Sequence, residues 1–263
     1  MTSIHVDNVD IAYTEYGAGP AVVLLHGYPF NQTLWSGQVE ALKNSYRVIT
    51  PDLRGHGEST IGPASMNRMA ADVASLLDAL GIERVVIGGL SMGGYVTLAF
   101  YRLFPQRVHS LILADTRAQA DTEENKRIRA QQVETLLSHG MKPIVDAMLP
   151  KLLHPETVSK RPNIVKQLRD MMLQTKPEGA AAALQAMAAR EDQTELLSHI
   201  RVPTLILVGK DDPITPLQDS EKMHQLIEGS RLVVIENASH VSNLERPAEF
   251  NSALMTFLND SAA

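Results

Sequence analysis

The chain has no cysteine. That excludes disulfides, a thiol nucleophile and any thiolate metal site, and it fits a reducing compartment. It also has no block of basic residues. Its 24 Lys and Arg face 30 Asp and Glu, for a formal net charge of −6. A nucleic-acid partner needs a positive face, so none is expected. No apolar stretch approaches the roughly 20 residues that span a bilayer, so no membrane partner is expected. The opening Met1-Thr2-Ser3-Ile4-His5-Val6-Asp7 lacks the basic and apolar regions of a secretory leader. The expectation is a soluble cytoplasmic protein. There is no internal repeat, no low-complexity linker, and no histidine–carboxylate cluster at metal spacing. Neither a resident metal nor a cofactor is expected.

What is present suffices for one large domain. The 263 residues are 44% hydrophobic, enough to bury a sizeable core. Ile4–Val6 and Ile11–Tyr16 read as an antiparallel hairpin at a sheet edge. Short apolar runs then alternate with helical patterns. Strands are expected at 21–25, 46–50, 84–88 and 108–113. Helices are expected at 35–43, 66–80 and 94–104, the second stopped by Gly81 and the third by Pro105. Such alternation indicates a parallel sheet built by right-handed crossovers. From about 119 to 197 the strand pattern stops. Four helical segments are expected there, broken at Gly140, Pro143, Pro150 to Pro155, and Pro177. The α/β pattern resumes with strands at 204–208 and 232–235. Thr215-Pro216-Leu217-Gln218 reads as a capping box opening a helix to about Glu228, and a last helix runs from Pro247 to Asn259.

One stretch organises the rest. Gly89-Leu90-Ser91-Met92-Gly93 follows a β-branched strand and opens a helix. Gly-x-Ser-x-Gly in a strand–turn–helix context is a nucleophile elbow. The turn must be tight and strained so that the Ser91 hydroxyl projects at the carboxyl end of the sheet. Side chains two positions either side would collide, hence the two glycines.

Further motifs accompany it: His26-Gly27-Tyr28-Pro29 after an early strand, Asp52-Leu53-Arg54-Gly55-His56-Gly57-Glu58-Ser59, Gly209-Lys210-Asp211-Asp212-Pro213 after a late one, and Ser239-His240 followed by Glu245-Arg246-Pro247 and Phe250. Together they make the chain resemble the α/β-hydrolase superfamily over nearly its whole length, and most closely the small cofactor-free carboxylesterases, lactonases and perhydrolases. The resemblance implies an α/β-hydrolase fold: a mostly parallel eight-stranded sheet with helices on both faces. The core would comprise residues 1–118 and 198–263, with a helical cap inserted over 119–197.

It also implies a site. A serine hydroxyl needs a base to remove its proton, and the base needs an orienting carboxylate. In the family the chain order is Ser, acid, His. His240 is the expected base because it follows the last strand; Ser239 stands where the family usually has glycine. The family spacing from Gly209 selects Asp212 over its neighbour Asp211 as the acid. Met92, after the nucleophile, supplies one oxyanion N–H, and the resemblance assigns the other to Tyr28. Pro29 stiffens that loop and resembles esterases that also perform perhydrolysis. His26 and His56 are expected to be structural. Phe30 and Trp35 follow the oxyanion loop and are expected along the substrate pocket. The methionines at 141, 148, 171, 172 and 187 are expected to pack the cap on the core.

The expected activity is hydrolysis of a small-molecule carboxylic ester or lactone through an acyl-enzyme, without cofactor. Two alternatives use the same fold and residues: C–C bond hydrolysis of a β-diketone, and a small-molecule receptor that does not turn over. A serine nucleophile argues against the dehalogenase and epoxide hydrolase branches, which place an aspartate there.

Overall fold

The computed structural model describes residues 2–261. Eight strands form one sheet: β1 (Thr2–Val6), β2 (Val9–Tyr16), β3 (Ala21–Leu25), β4 (Arg47–Pro51), β5 (Val85–Leu90), β6 (Val108–Ala114), β7 (Thr204–Gly209) and β8 (Arg231–Ile235). Their order is β1-β2-β4-β3-β5-β6-β7-β8. The first two pairings, β1 with β2 and β2 with β4, are antiparallel and all others are parallel. This is the mostly parallel eight-stranded sheet that the motifs implied. β3, β5, β6 and β7 are buried almost end to end, as parallel strands covered on both faces must be.

Helices α1 (Ser36–Leu42), α2 (Met66–Ala79) and α3 (Met92–Leu103) alternate with the early strands. Right-handed crossovers put α1, which moves leftward from β3 to β4, on one face and the rightward α2 and α3 on the other. Between β6 and β7 come α4 (Glu123–His139), α5 (Met141–Leu152), α6 (Pro155–Lys160), α7 (Pro162–Gln174), α8 (Pro177–Ala188) and the single turn α9 (Thr194–Leu197). α10 (Leu217–Leu226), α11 (Ser242–Glu245) and α12 (Pro247–Ser261) complete the chain. α12 packs on α1, β7 and β8.

The insertion differs from the sequence expectation of four helices with Pro143 and Pro150 as breakers. Pro143 lies in the first turn of α5, where its missing N–H had no intrahelical partner to lose, and Pro150 is held inside the last turn of the same helix. Pro155, Pro162 and Pro177 each open a helix at its first position. Proline there is a start signal as well as a stop. A second correction concerns Thr215. α10 is capped by Pro216 without a side-chain bond, so the expected capping box does not form; the Thr215 hydroxyl is used elsewhere.

The order of strands creates a switch point. From β3 the chain crosses to β4 on one side, and β5 pairs on the other. The crevice beyond the carboxyl ends of β3 and β5 is where open α/β sheets bind ligands. At that point α3 comes very close to β3: a Cβ on Gly93 would lie 2.2 Å from the Leu25 carbonyl oxygen. A Cβ on Gly89 would lie 2.2 Å from the backbone of Gly93. Both elbow glycines are therefore sterically required.

Gly93→Ala should destabilise the protein by on the order of 3 kcal/mol, because backbone rather than a flexible side chain blocks the methyl. Gly37→Ala is the control. Gly37 lies in α1 with nothing within 4 Å of a Cβ, so it should gain roughly 0.5 kcal/mol from reduced backbone entropy. Chemical denaturation of both variants checks the pair; a Gly93→Ala as stable as wild type would mean that α3 does not sit against β3.

Candidate active site

Ser91 lies between β5 and α3 with φ +55° and ψ −113°, a conformation that typically costs a non-glycine residue about 1–3 kcal/mol. Its surroundings hold it there. Ser91 N donates to the Ala114 carbonyl (3.0 Å), and the Thr116 hydroxyl donates to the Ser91 carbonyl (2.8 Å). Both partners sit at the end of β6. The β3 loop lies alongside, since a Cβ on Gly27 would be 3.3 Å from that of Ser91.

Asp212 follows β7 and His240 follows β8. The structure brings them together: His240 Nδ1 is 2.7 Å from Asp212 Oδ2. Asp212 also accepts from Ile214 N (2.7 Å) and Thr215 N (3.1 Å) through Oδ1, and from the Thr215 hydroxyl (2.6 Å) through Oδ2. An acceptor so fully occupied by donors is ionised, so Nδ1 must carry the imidazole proton and Nε2 is left as the acceptor. Asp211 does none of this. Its side chain is 50% exposed against 0% for Asp212, and its nearest ionic partner is His154 at 3.6 Å. The two adjacent aspartates thus diverge, as the motif spacing implied.

Burial pulls the His240 imidazole down, but the charge and hydrogen bond of Asp212, with the charge of Asp115, outweigh it and hold the group above its ordinary value. Burial raises the Asp212 carboxyl, and the His240 charge and hydrogen bond together with Thr215 more than reverse this.

The oxyanion donors expected from the sequence are Met92, next to Ser91 in the chain, and Tyr28, next to Gly27 in the loop that lies alongside Ser91. Met92 is the first residue of α3, so its N–H has no intrahelical acceptor. Tyr28 precedes Pro29 through a cis peptide bond. The loop is anchored by His26, whose Nδ1 donates to the Gly27 carbonyl (2.9 Å) while Nε2 accepts from Leu53 N (2.9 Å). That pairing requires a neutral ring, and burial lowers the group to about 4. Leu53 belongs to the 52–59 turn. There Asp52 accepts from Gln32 N (2.7 Å) and Glu58 N (3.0 Å), and the buried Arg54 makes a two-point ion pair with Asp72 (2.7 and 2.5 Å). Burial lowers His56 to about 3.

The helical insertion touches this framework directly. The Thr175 hydroxyl, between α7 and α8, donates to the Pro29 carbonyl (2.8 Å). At the start of α8, a Cβ on Gly179 would lie 1.9 Å from the Gly55 carbonyl oxygen, so helix and turn meet backbone to backbone. Methionines 141, 171, 172 and 187 are buried in the continuous core, and Met148 packs against it.

Phe30 and Trp35 are both fully buried, and the Trp35 ring packs 6.1 Å from Phe250 of α12. A cavity of about 300 Å³ between α2, α3 and α8 is lined by residues such as Tyr95, Arg117, Gln185 and Arg190, with neither Ser91 nor His240 in its lining.

Sequence reading missed two buried carboxylates. Asp115 follows β6 and lies within reach of both the acid and histidine loops. Burial, then the charge of Asp212, push its carboxyl up to about 8. Glu245 accepts from Ser239 N (2.6 Å) and His154 N (2.8 Å), joining the histidine loop to the insertion. Asp115 could have been suspected from its place at a strand's carboxyl end; for Glu245 the family-like ending was the only signal.

The chain matches a family model for the α/β hydrolase fold over residues 20–247. It is 35% identical to 3-oxoadipate enol-lactonase 1 of Acinetobacter baylyi over 232 residues, covering 88% of this chain and 85% of that one. Among solved structures it is similar to a thermophilic esterase from Thermogutta terrifontis, solved with malate bound (TM-score 0.96, 40% identity, 100% of this chain and 98% of that one). It is likewise similar to the enol-lactonase from Burkholderia xenovorans (TM-score 0.92, 29% identity, 98% and 100%).

The geometry makes a spectroscopic prediction. His240 should titrate above the ordinary histidine value of about 6.5. Removing the negative partner removes what favours the imidazolium, so Asp212→Asn should lower that value, while Asp211→Asn should leave it in place. NMR titration of the His240 ring in the three proteins decides; a larger drop in Asp211→Asn would contradict the register.

Proposed function

The chain belongs to the α/β-hydrolase fold family, and from that membership we propose how it acts as a carboxylic ester hydrolase: Ser91, His240 and Asp212 cleave an ester or lactone through an acyl-enzyme. Ser91 Oγ attacks the substrate carbonyl while His240 Nε2 takes its proton. Asp212 holds the tautomer that leaves Nε2 free and stabilises the imidazolium that forms. The N–H groups of Tyr28 and Met92 receive the charge on the tetrahedral oxygen, a contribution of several kcal/mol in such sites. On collapse, His240 gives its proton to the leaving alkoxide. With a lactone this oxygen stays tethered to the acyl chain. His240 then draws a proton from water, which attacks the acyl-enzyme, and returns it to Ser91 as the acid is released.

The 2.7 Å contact between His240 Nδ1 and Asp212, at the same sheet edge as the strained Ser91, supports this reading most strongly. The enol-lactonase relatives favour a lactone or enol ester as the physiological class. Residues 119–197 are read as a cap over the site, with 1–118 and 198–263 as the core. The run of helices between β6 and β7, and the hydrogen bond from Thr175 to the oxyanion loop, support that division.

Ser91→Ala should fold like wild type and lose turnover on the order of a million-fold. Rates on p-nitrophenyl acetate, simple lactones and an enol-lactone, measured for both proteins, test this; a variant rate within about tenfold of wild type on every substrate would refute the assignment. Among the described residues, no group of three His, Asp or Glu side chains could hold a metal ion, and EDTA should leave the rate unchanged. Loss of activity on chelation, restored by a divalent ion, would require a different mechanism.

A further inference from the structure

We propose that Asp115 is a positioning residue for this reaction, using one buried carboxylate to set the acid loop and the histidine loop relative to the nucleophile. The proposal rests on the catalytic reading given above. Three consecutive residues at the end of β6 together hold three parts of the site. The Ala114 carbonyl accepts from Ser91 N, and the Thr116 hydroxyl donates to the Ser91 carbonyl. Between them, Asp115 N donates to the Leu207 carbonyl of β7 (2.8 Å). The Asp115 side chain then divides its two oxygens. Oδ1 accepts from Gly209 N (2.8 Å), where the loop carrying Asp212 begins. Oδ2 accepts from Ser242 Oγ (2.6 Å) and Ser242 N (3.3 Å), two residues beyond His240.

β6 lies between β5 and β7, so its end is the place from which one residue can reach all three loops. The bonds span sequence separations of 94 and 127 residues, so they fix tertiary rather than local geometry. The backbone is shaped for this task. Asp115 has φ +42°, a left-handed conformation that turns the side chain from the strand direction into the loops. Such a conformation persists in a non-glycine residue only where surrounding contacts over-determine it. The carboxylate is also fully buried, and every bond it makes goes to a loop bearing a proposed catalytic residue.

A misplacement of about 1 Å between reacting groups can cost on the order of a hundredfold in rate. Asp115→Ala removes both ties. It should lower kcat by at least about tenfold with KM within about threefold, measured well below the variant's melting temperature. Asp115→Asn keeps an acceptor oxygen for Gly209 N and should recover most of that loss. Ser242→Ala cuts only the side-chain tie to the histidine loop; it should lower kcat by roughly three- to tenfold with little change in melting temperature. A purely structural residue would lower the melting temperature and leave kcat near wild type in the folded fraction.

Ser91→Ala measured alongside separates the two readings. If it keeps activity, the catalytic assignment fails. If it is inactive while Asp115→Ala and Ser242→Ala both keep kcat within about twofold of wild type, the positioning role fails alone. Should Asp115→Ala not fold, Ser242→Ala decides by the same kcat criterion.

Discussion

The site depends on how closely α3 approaches β3. The helix can begin against the Leu25 carbonyl only because residue 93 has no side chain. That approach forces Ser91 into its left-handed conformation and lifts its hydroxyl clear of the sheet. It also leaves the first N–H groups of α3 pointing away from any helical partner, beside the loop that carries Tyr28. One steric constraint thus sets the nucleophile and one proposed oxyanion donor together. The strain of about 1–3 kcal/mol is offset locally by bonds from Ser91 to Ala114 and Thr116.

Around this point the loops are held by buried carboxylates, each taking backbone N–H groups. Asp52 binds Gln32 N and Glu58 N; Asp115 binds Gly209 N and Ser242 N; Asp212 binds Ile214 N and Thr215 N; Glu245 binds Ser239 N and His154 N. Where the carboxyl is ionised, as at Asp212, such hydrogen bonds are worth about 1.5–3 kcal/mol each, and a buried carboxyl left unpaired would be costly. Loops braced in this way can carry reactive groups without the flexibility that loops usually have.

What could be read from the sequence follows from what is local. The alternation of strands and helices and the stop at Gly81 rest on residues close in the chain, and the structure places each as the pattern implied; the strand–turn–helix around Ser91 and the divergence of Asp211 from Asp212 rest on the same kind of local signal. Thr215 shows the limit. Its spacing from Pro216 satisfied a capping pattern, but its hydroxyl takes its acceptor from Asp212, three residues earlier, instead of the helix. Asp115 and Thr175 carry no periodic or spacing signal, because their side-chain partners lie 94 to 146 residues away; Glu245, whose only signal was the family-like ending, reaches His154 91 residues away as well as Ser239 six away. Trp35 is expected along the substrate pocket from its place after the Tyr28 loop; its ring packs on a helix more than two hundred positions later, a contact that its neighbours in sequence do not announce. In the insertion, prolines that open helices and prolines that end them look alike until the backbone is seen.

The meeting of Gly179 and Gly55 fixes where the insertion can move. Two backbones in direct contact leave no side chain to shorten, lengthen or rotate, so α8 cannot shift there by small steps. With Thr175 bonded to Pro29 nearby, that edge of the insertion is fastened to the loops that form the site. Any movement of the insertion against the core therefore has a fixed point at that edge.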